Sequence, residues 1–327
     1  SMLFIISGSH WAPFNIASEE HILRTYSEDV FLLYRNQPSI IVGRHQNTLA
    51  EINLDYVRQH SIPVVRRLTG GGTVFHDLGN LNYCFIVQDD KEDSLSFARF
   101  TAPVLSALRE LGVDARLEGR NDLTINGAKF SGNAKALHYG KIHQHGTILF
   151  ASRIADLSQS LRVNPLKFQD KAVKSVASRV TNVSSHLAHP LSLEDFILLI
   201  SKHVRQMYPD AREHSFSEEE NQAIRELVQS KYDTWDWNYG HSPAYNHVKA
   251  VRCAAGTIEF HTDVHGGRIT GLRVYGDFFS DRDPRELEQA LIGLPHRRDD
   301  LLKVLQDIPL RDYLGQVTAR EVLSGLI

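Results

Sequence analysis

Between Arg66 and Asn80 the chain reads Arg-Arg-Leu-Thr-Gly-Gly-Gly-Thr-Val-Phe-His-Asp-Leu-Gly-Asn, and an apolar run, Leu81–Val87, follows at once. Three consecutive glycines carry no Cβ, so the main chain can turn sharply and come close to a ligand. The N–H groups left free by such a turn can form a concave nest for an anion. Arg66 and Arg67 stand at its entry, with forked guanidiniums that match carboxylate or phosphate in bidentate fashion. His76-Asp77 flank its exit. A loop cationic at one end and pinned to a strand at the other reads as a binder of a charged small molecule. A flexible hairpin without a ligand is the alternative, because glycine punctuates turns everywhere. The run lacks the Gly-Lys-Ser/Thr of a Walker loop, and its glycine spacing is not that of the dinucleotide fingerprint.

A chain of 327 residues has room for two domains. Its formal net charge of −3 leaves no basic excess, so binding of nucleic acid by bulk electrostatics is not expected. No apolar run has the length of a bilayer span, so no membrane partner is expected. The opening Met2-Leu3-Phe4-Ile5-Ile6 is strand-like and shows neither a basic region nor a cleavage site, so no signal peptide is expected. Cys84 and Cys253 are the only cysteines and lie far apart, which rules out a disulfide framework and fits a reducing cytoplasm. Among 17 histidines the tightest group is His143-Gln144-His145. Alternate strand positions share a face, so a two-ligand metal site is one reading. A polar strand face, or a single functional His145 beside Gly146, is the other, and no third ligand stands at a telling spacing.

Short runs rich in β-branched and aromatic residues predict strands at Leu3–Ser7, Val30–Tyr34, Ile40–Val42, Pro63–Arg66, Leu81–Val87, Asp122–Ile125, Ala128–Ser131 and Gly146–Phe150. Helical periodicity covers Ile16–Tyr26, Phe97–Leu111 before Gly112, and Ser192–Tyr208. Strands and helices intermix without strict alternation, which predicts an α+β fold. The Trp-, Tyr-, Gly- and Pro-rich segment Trp235–Asn246 marks a boundary, dividing the chain into 1–245 and 246–327. Beyond it three strands are expected, Val248–Ala254, Thr257–Val264 and Arg268–Tyr275, the last two joined by a turn at His265-Gly266-Gly267. Helices at Pro284–Leu291, Asp299–Leu305 and Thr318–Leu323 complete a small second domain.

A second chemical cluster runs from Gly119 to Ala134. Asn126-Gly127 between two alternating runs is a strong hairpin signal. It places Lys129 early on the returning strand, sharing a face with Ser131, while Gly132 permits close approach of main chain to a ligand. Were that face solvated, Lys129 would be an ordinary surface lysine. In a cleft, its compact charge could bridge a carboxylate and a phosphate, which is what activation of a carboxylic acid by ATP requires. Asn121 and Asp122, across the hairpin, could hold Mg²⁺, although Asp122 is also a common strand-start residue. A third segment, Lys174–Asn182, is basic and aperiodic. It is either a loop closing over a nucleotide or a solvated connector.

With these segments in view, the chain resembles the lipoate–protein ligase A family. The family's runs correspond to Arg66–Asn80, to Gly119–Leu123 with Lys129–Ala134, to Gln144–Leu149, to Ser175–Asn182 and to Asp233–Tyr245, with a weaker likeness through Val248–Ile327. The resemblance implies a large catalytic domain of the biotin/lipoate-ligase type, with mixed sheets and helices, and a small C-terminal α/β accessory domain. It implies adenylation of free lipoate by ATP with Mg²⁺, then transfer of the lipoyl group to a lysine of an acceptor. The acceptors implied are lipoyl domains of 2-oxoacid dehydrogenase complexes and the glycine cleavage H protein. No tightly bound prosthetic group is expected. Lys129 would be catalytic and touch both substrates. Arg67, Gly72, Thr73, Val74 and Phe75 would join it at ATP, and Gly71, Gly72 and His76 at lipoate. Arg66, Asn80, Asn121, Asp122, Gly132, Ser178 and Arg179 would support them, Asp122 as the Mg²⁺ ligand. Gln144 and Thr69 depart from the family's frequent His and Ser. A biotin ligase is a further relative with the same chemistry, but its glycine-rich run differs from this one, and two other readings compete. One is a lipoyl or octanoyl transferase working from a carrier protein through a cysteine, against which Cys84 reads as a core residue. The other is a lipoate- or adenylate-binding module without turnover.

Overall fold

The computed structural model describes residues 1–91, 96–161, 180–240 and 246–327. The strands in chain order are β1 (Met2–Ile6), β2 (Asp29–Tyr34), β3 (Ser39–Val42), β4 (Val64–Arg66), β5 (Val74–His76), β6 (Asn80–Gln88) and β7 (Ala115–Glu118). Then come β8 (Asp122–Ile125), β9 (Ala128–His138), β10 (Lys141–Leu149), β11 (Arg212–Glu213), β12 (His247–Cys253), β13 (Gly256–His265) and β14 (Arg268–Gly276). Eight form one mixed sheet in the order β11-β1-β2-β6-β10-β9-β8-β7. The pairs of β1 with β11 and β2 are parallel, and the other pairs are antiparallel.

Strand alternation gives this sheet two apolar faces. Phe4, Phe31, Leu33, Tyr83 and Phe85 pack against the helices Ala98–Glu110 and Leu193–Met207. Leu3, Ile5, Val30, Leu32 and Ile86 pack against Ala12–Thr25 and Glu218–Leu227. Each such side chain, fully buried, stabilises the fold by about 1.5–3 kcal/mol. A small sheet, β4-β3-β5, lies beside this second face, and the glycine loop runs from β4 to β5 past the end of β3. The strands β12-β13-β14 form a separate meander, turned at Gly266 and Gly267 with φ of 59° and 73°. Four helices, Pro284–Leu291, Arg298–Gln306, Leu310–Leu314 and Ala319–Leu326, cover it and close a third core around Phe260, Leu272, Leu287, Leu301 and Leu323. The α+β expectation holds.

The differences have local causes. β9 and β10 run longer than expected because their central stretches pair with each other and with β6 rather than ending at polar residues. The first helix begins at Ala12, since Pro13 is tolerated in a first turn where its missing N–H has no partner to lose. The helix Glu218–Leu227 was not foreseen, although Ser217 and Glu220 form a capping box at its start. The boundary expected at Trp235–Asn246 falls partly on residues 241–245, which lie outside the described residues. Trp235–Asn238 is one helical turn bound into the first unit: Trp237 Nε1 donates to Arg66 O at 2.8 Å, and Asn238 Oδ1 accepts from Arg66 N at 3.0 Å. Ser178 and Arg179 lie outside the described residues. Among those residues no helix is long and apolar enough to cross a membrane.

Candidate active site

The glycine loop is held by its own arginines. Arg67 Nη2 donates to the carbonyls of Gly70 and Gly72, both at 2.7 Å, and its Nε to Thr69 Oγ1 at 3.2 Å. Arg66 donates to the carbonyls of Gly43 (2.9 Å), Gln46 (2.6 Å) and Trp237 (2.9 Å) and to Thr48 Oγ1 (2.9 Å). The two guanidiniums expected to grip an anion therefore grip the main chain, because an arginine buried among unpaired carbonyls satisfies them and itself at once. Burial pulls Arg67 down to about 10, which leaves it charged at neutral pH. The three glycines answer three different needs. A Cβ on Gly70 would collide with the carbonyl oxygen of Phe278. Gly71 has φ of +92° and donates its N–H to that same oxygen at 3.4 Å. Around Gly72 the space is open.

The hairpin β8–β9 turns at Asn126-Gly127 with φ of 51° and 80°, as the sequence predicts. Its pairing contains an extra residue. Leu123 opposes Ser131, but Thr124 opposes Lys129, so Phe130 is a bulge. Lys129 and Ser131 thus do not share a working face. The bulge sends Phe130 into the core and brings Lys129 into phase with Gly132 and Ala134, which line one pocket with it. Lys129 Nζ lies 3.0 Å from Asp122 Oδ1, both side chains 40% exposed, and Asp122 stands beside the pocket rather than in its wall. Asn121 braces the turn, donating from Nδ2 to Asn133 O at 2.8 Å. Thr181 N donates to Lys129 O at 2.8 Å, so the far end of the basic segment is anchored on the lysine's own main chain.

The pocket measures about 120 Å³. Arg67, Gly71, Gly72, Thr73 and Val74 form its loop side. Lys129, Gly132 and Asn133 face them, and Ile16, Tyr34 and Ile41 close an apolar end. On β5, Val74 and His76 point into the pocket, whereas Phe75 points the other way into a cluster with Ile40, Val42 and Val64. Phe75 is therefore no wall residue, as the two-residue period of a strand requires. Asn80 is also set back. It donates to Asn82 Oδ1 at 2.9 Å, and Asn82 lines the pocket. His76 Nδ1 accepts from Asn36 Nδ2 at 2.9 Å, so Nε2 carries the proton, and Nε2 has no partner among the described residues. Burial pushes His76 down to about 3, and it stays neutral.

Sequence reasoning missed Glu19. Its Oε1 accepts from His143 Nε2 (2.6 Å), His145 Nδ1 (2.7 Å) and Cys84 Sγ (3.2 Å), and its Oε2 from Tyr34 (2.7 Å). His145 Nε2 then accepts from Thr69 Oγ1 at 2.5 Å, linking the core to the glycine loop. Burial alone would raise Glu19, but His145 and His143 hold it well below the usual carboxylate range. Burial keeps His145 neutral. Cys84 is buried in an apolar core cluster as expected, its thiol is also directed to Glu19, and burial with Glu19 pushes it well up. One ligand atom from each of Glu19, Cys84, His143 and His145 lies within 4.8 Å of the others, a grouping that could hold a metal ion and that the fold assembles from positions no sequence spacing marks. Each N–H and S–H in it is already aimed at Glu19, and hydrogen bonding accounts for the arrangement. Burial beside a helix 120 residues away gave no sequence signal. His145, Gly146 and Thr147, also in the wall, did lie in a run the sequence singled out.

A helix-covered mixed sheet carrying a glycine loop and a lysine on one pocket defines an α+β enzyme that handles a small anionic substrate. The chain belongs to the lipoyl protein ligase A/B family: the profile described as lipoyl protein ligase A/B catalytic domain matches residues 12–205, and that described as bacterial lipoate protein ligase C-terminus matches 242–326. It is 39% identical to the lipoate–protein ligase LplJ of Bacillus subtilis, over 99% of each chain. The solved structure of P. falciparum LipL1 in complex with lipoate covers 99% of this chain and 98% of its own, with a TM-score of 0.82 at 23% identity, a likeness of fold. A lipoate–protein ligase A solved with ATP covers 73% of this chain and 98% of its own, with a TM-score of 0.61 and 28% identity.

Proposed function

We propose that this protein is an ATP-dependent lipoate–protein ligase with Lys129 at its reacting centre. The observation that carries the reading is the meeting of Lys129 with the open Gly72 of the glycine loop in one pocket with an apolar end. The lipoate carboxylate attacks the α-phosphorus of ATP, forming the mixed anhydride and expelling pyrophosphate. A lysine amine of the acceptor then attacks the lipoyl carbonyl, loses a proton and expels AMP. In the first step two anions must approach each other. The Lys129 ammonium offsets that repulsion and the charge growing on the transferring phosphoryl group. Its partnership with Asp122 is exposed and worth at most about 1 kcal/mol, so an incoming carboxylate displaces it readily. The neutral His76 Nε2–H, Gly71, Thr73 and Val74 would meet the lipoyl-adenylate, with Ile16 and Ile41 against the acyl chain. The enclosed part of the pocket is smaller than the roughly 300–1,000 Å³ of small-molecule sites.

Asp122 fits a magnesium ion that arrives with ATP, since Mg²⁺ keeps its waters and takes one or two carboxylates beside substrate phosphates. Bound there, the ion would neutralise triphosphate charge. Lipoyl domains and the H protein are the acceptors we assign, 1–245 and 246–327 the two domains, and the cytoplasm the setting, where ATP and two unpaired cysteines belong. A transferase would need an accessible thiol at the pocket. Cys84 is fully buried with its thiol engaged, and Cys253 belongs to β12. Mass spectrometry of an apo lipoyl domain after incubation with this protein, lipoate and MgATP tests the reading. A lipoyl adduct that forms only with ATP supports it. An adduct formed from an octanoylated carrier without ATP overturns it in favour of the transferase.

A further inference from the structure

A second cavity, about 410 Å³, opens at the seam between the first unit and the meander, and it shares no wall residue with the catalytic pocket. Arg44 and Arg66 enter it from one side, Arg273 and Arg285 from the other. Three carboxylates, Asp236, Asp283 and Glu288, face these four guanidiniums, and Asp283 favours the charged form of Arg44 against its burial. Glu288 is taken by Arg285 Nη1 at 2.8 and 2.7 Å, Asp283 caps its helix by accepting from Arg285 N at 3.0 Å, and Asp236 is exposed at the rim. Among the described residues Arg44, Arg66 and Arg273 form no ion pair. Arg44 instead lies on the Trp237 ring, 4.7 Å from its centre, and Arg66 spends its donors on carbonyls. Burial, and after it the guanidinium of Arg44, pull Arg66 down to about 10, with Arg273 adding to the effect. His45, also in the wall, is held neutral by burial and by Arg44.

One more wall group lacks a partner. Gln46 is 1% exposed, its Oε1 accepts from Gly43 N (2.8 Å) and Thr73 Oγ1 (2.7 Å), and its Nε2 has no acceptor among the described residues. A buried amide donor left unmade costs about 1–3 kcal/mol, and like-charged guanidiniums in one cavity add to that strain. Both costs vanish if a compact polyanion occupies the cavity, since phosphate oxygens accept from forked guanidiniums and from amide N–H alike.

We infer that this seam is a second, non-catalytic site for a compact polyphosphate, either pyrophosphate itself or the phosphate tail of a nucleotide. Arg273 and Arg44 grip it from the two units, and Gln46 joins it to Thr73 of the catalytic pocket. The occupant fastens the two units in the arrangement seen here.

Sodium pyrophosphate, titrated calorimetrically into the full chain without lipoate or ATP, tests this. The variants are Arg273→Gln, Arg44→Gln and, as a control for binding at the catalytic pocket, Lys129→Ala. The wild type and Lys129→Ala should bind with similar affinity and melt at a higher temperature with pyrophosphate. Arg273→Gln, whose partly buried side chain has no ion pair among the described residues to lose, should melt like the wild type without ligand and bind at least tenfold more weakly. Arg44→Gln should weaken binding to a similar degree. ATP in place of pyrophosphate separates the two sources: a tenfold loss of ATP affinity in Arg273→Gln points to a nucleotide tail, and no loss to pyrophosphate. Unchanged pyrophosphate affinity in both arginine variants, or binding abolished by Lys129→Ala alone, overturns the inference.

Discussion

Lys129 is half exposed and its pairing with Asp122 is solvated, so its charge contributes little to folding. Lys129→Ala should therefore melt within a degree or two of the wild type while ATP–pyrophosphate exchange with lipoate slows by about 10²–10³, the usual cost of deleting one electrostatic group at a transition state. Lys129→Arg should be slowed as well, since a planar fork cannot sit as a point charge between two anions. Wild-type exchange in the alanine variant would remove the lysine from the chemistry. The glycines separate in the same way. Gly72→Val adds bulk in open space beside the substrates, so the fold stays and lipoate binding weakens at least tenfold by calorimetry. Gly70→Ala drives a methyl into the Phe278 carbonyl, which is main chain and cannot rotate aside, and should cost about 1–3 kcal/mol in urea unfolding. If the two variants exchanged phenotypes, the proposed roles of these glycines would be reversed.

At the scale of elements, the helix Ala12–Thr25 carries Glu19 onto the sheet face where His143, His145 and Cys84 converge. Glu19→Gln puts an amide where four donors expect an acceptor and should cost roughly 3 kcal/mol at neutral pH. The Glu19 carboxyl is held below its unfolded value of 4.5, so its contribution is complete above that pH and is lost as pH falls through the folded value. Urea unfolding below pH 4.5 should therefore show a shallower acid slope in the glutamine variant. Equal slopes would mean that Glu19 is not ionised in the folded state. Helices and strands were legible where a local signal existed: Asn126-Gly127 marks its hairpin, and Ser192 caps a helix by accepting from Asp195 N. The bulge at Phe130 was not legible, since nothing in Lys-Phe-Ser-Gly marks an extra residue and only the pairing register reveals it. Arg66 showed its charge but not its partners, which come from 43–48 and from 237 and 238. The site's motifs were readable because each is local. The network behind them joins residues more than a hundred apart.

For the whole molecule the seam between the units is part of the site. Gly71 N reaches Phe278 O, Gly276 N donates to His45 O at 2.7 Å, His45 stacks on Phe278 at 4.8 Å, and Arg120 lies 4.7 Å from the Phe279 ring centre. Gly71 lines the pocket and its 3.4 Å bond to Phe278 O is long, so these contacts should loosen when lipoate and ATP fill the pocket. Hydrogen exchange at Gly71 and Gly276 should quicken with a saturating non-hydrolysable lipoyl-adenylate, and unchanged exchange there would show that the seam stays shut during binding. The contact at Gly70 and Gly71 has a further consequence. What props the glycine loop is a carbonyl oxygen, a group every residue carries, so the support is blind to side-chain identity at position 278. At that contact the two units can drift apart in sequence, whereas the His45–Phe278 stack ties the seam to its side chains. A chimera that joins 1–245 of this chain to the C-terminal unit of a distant ligase should still seat its loop, provided the chain leaving β14 follows the same path.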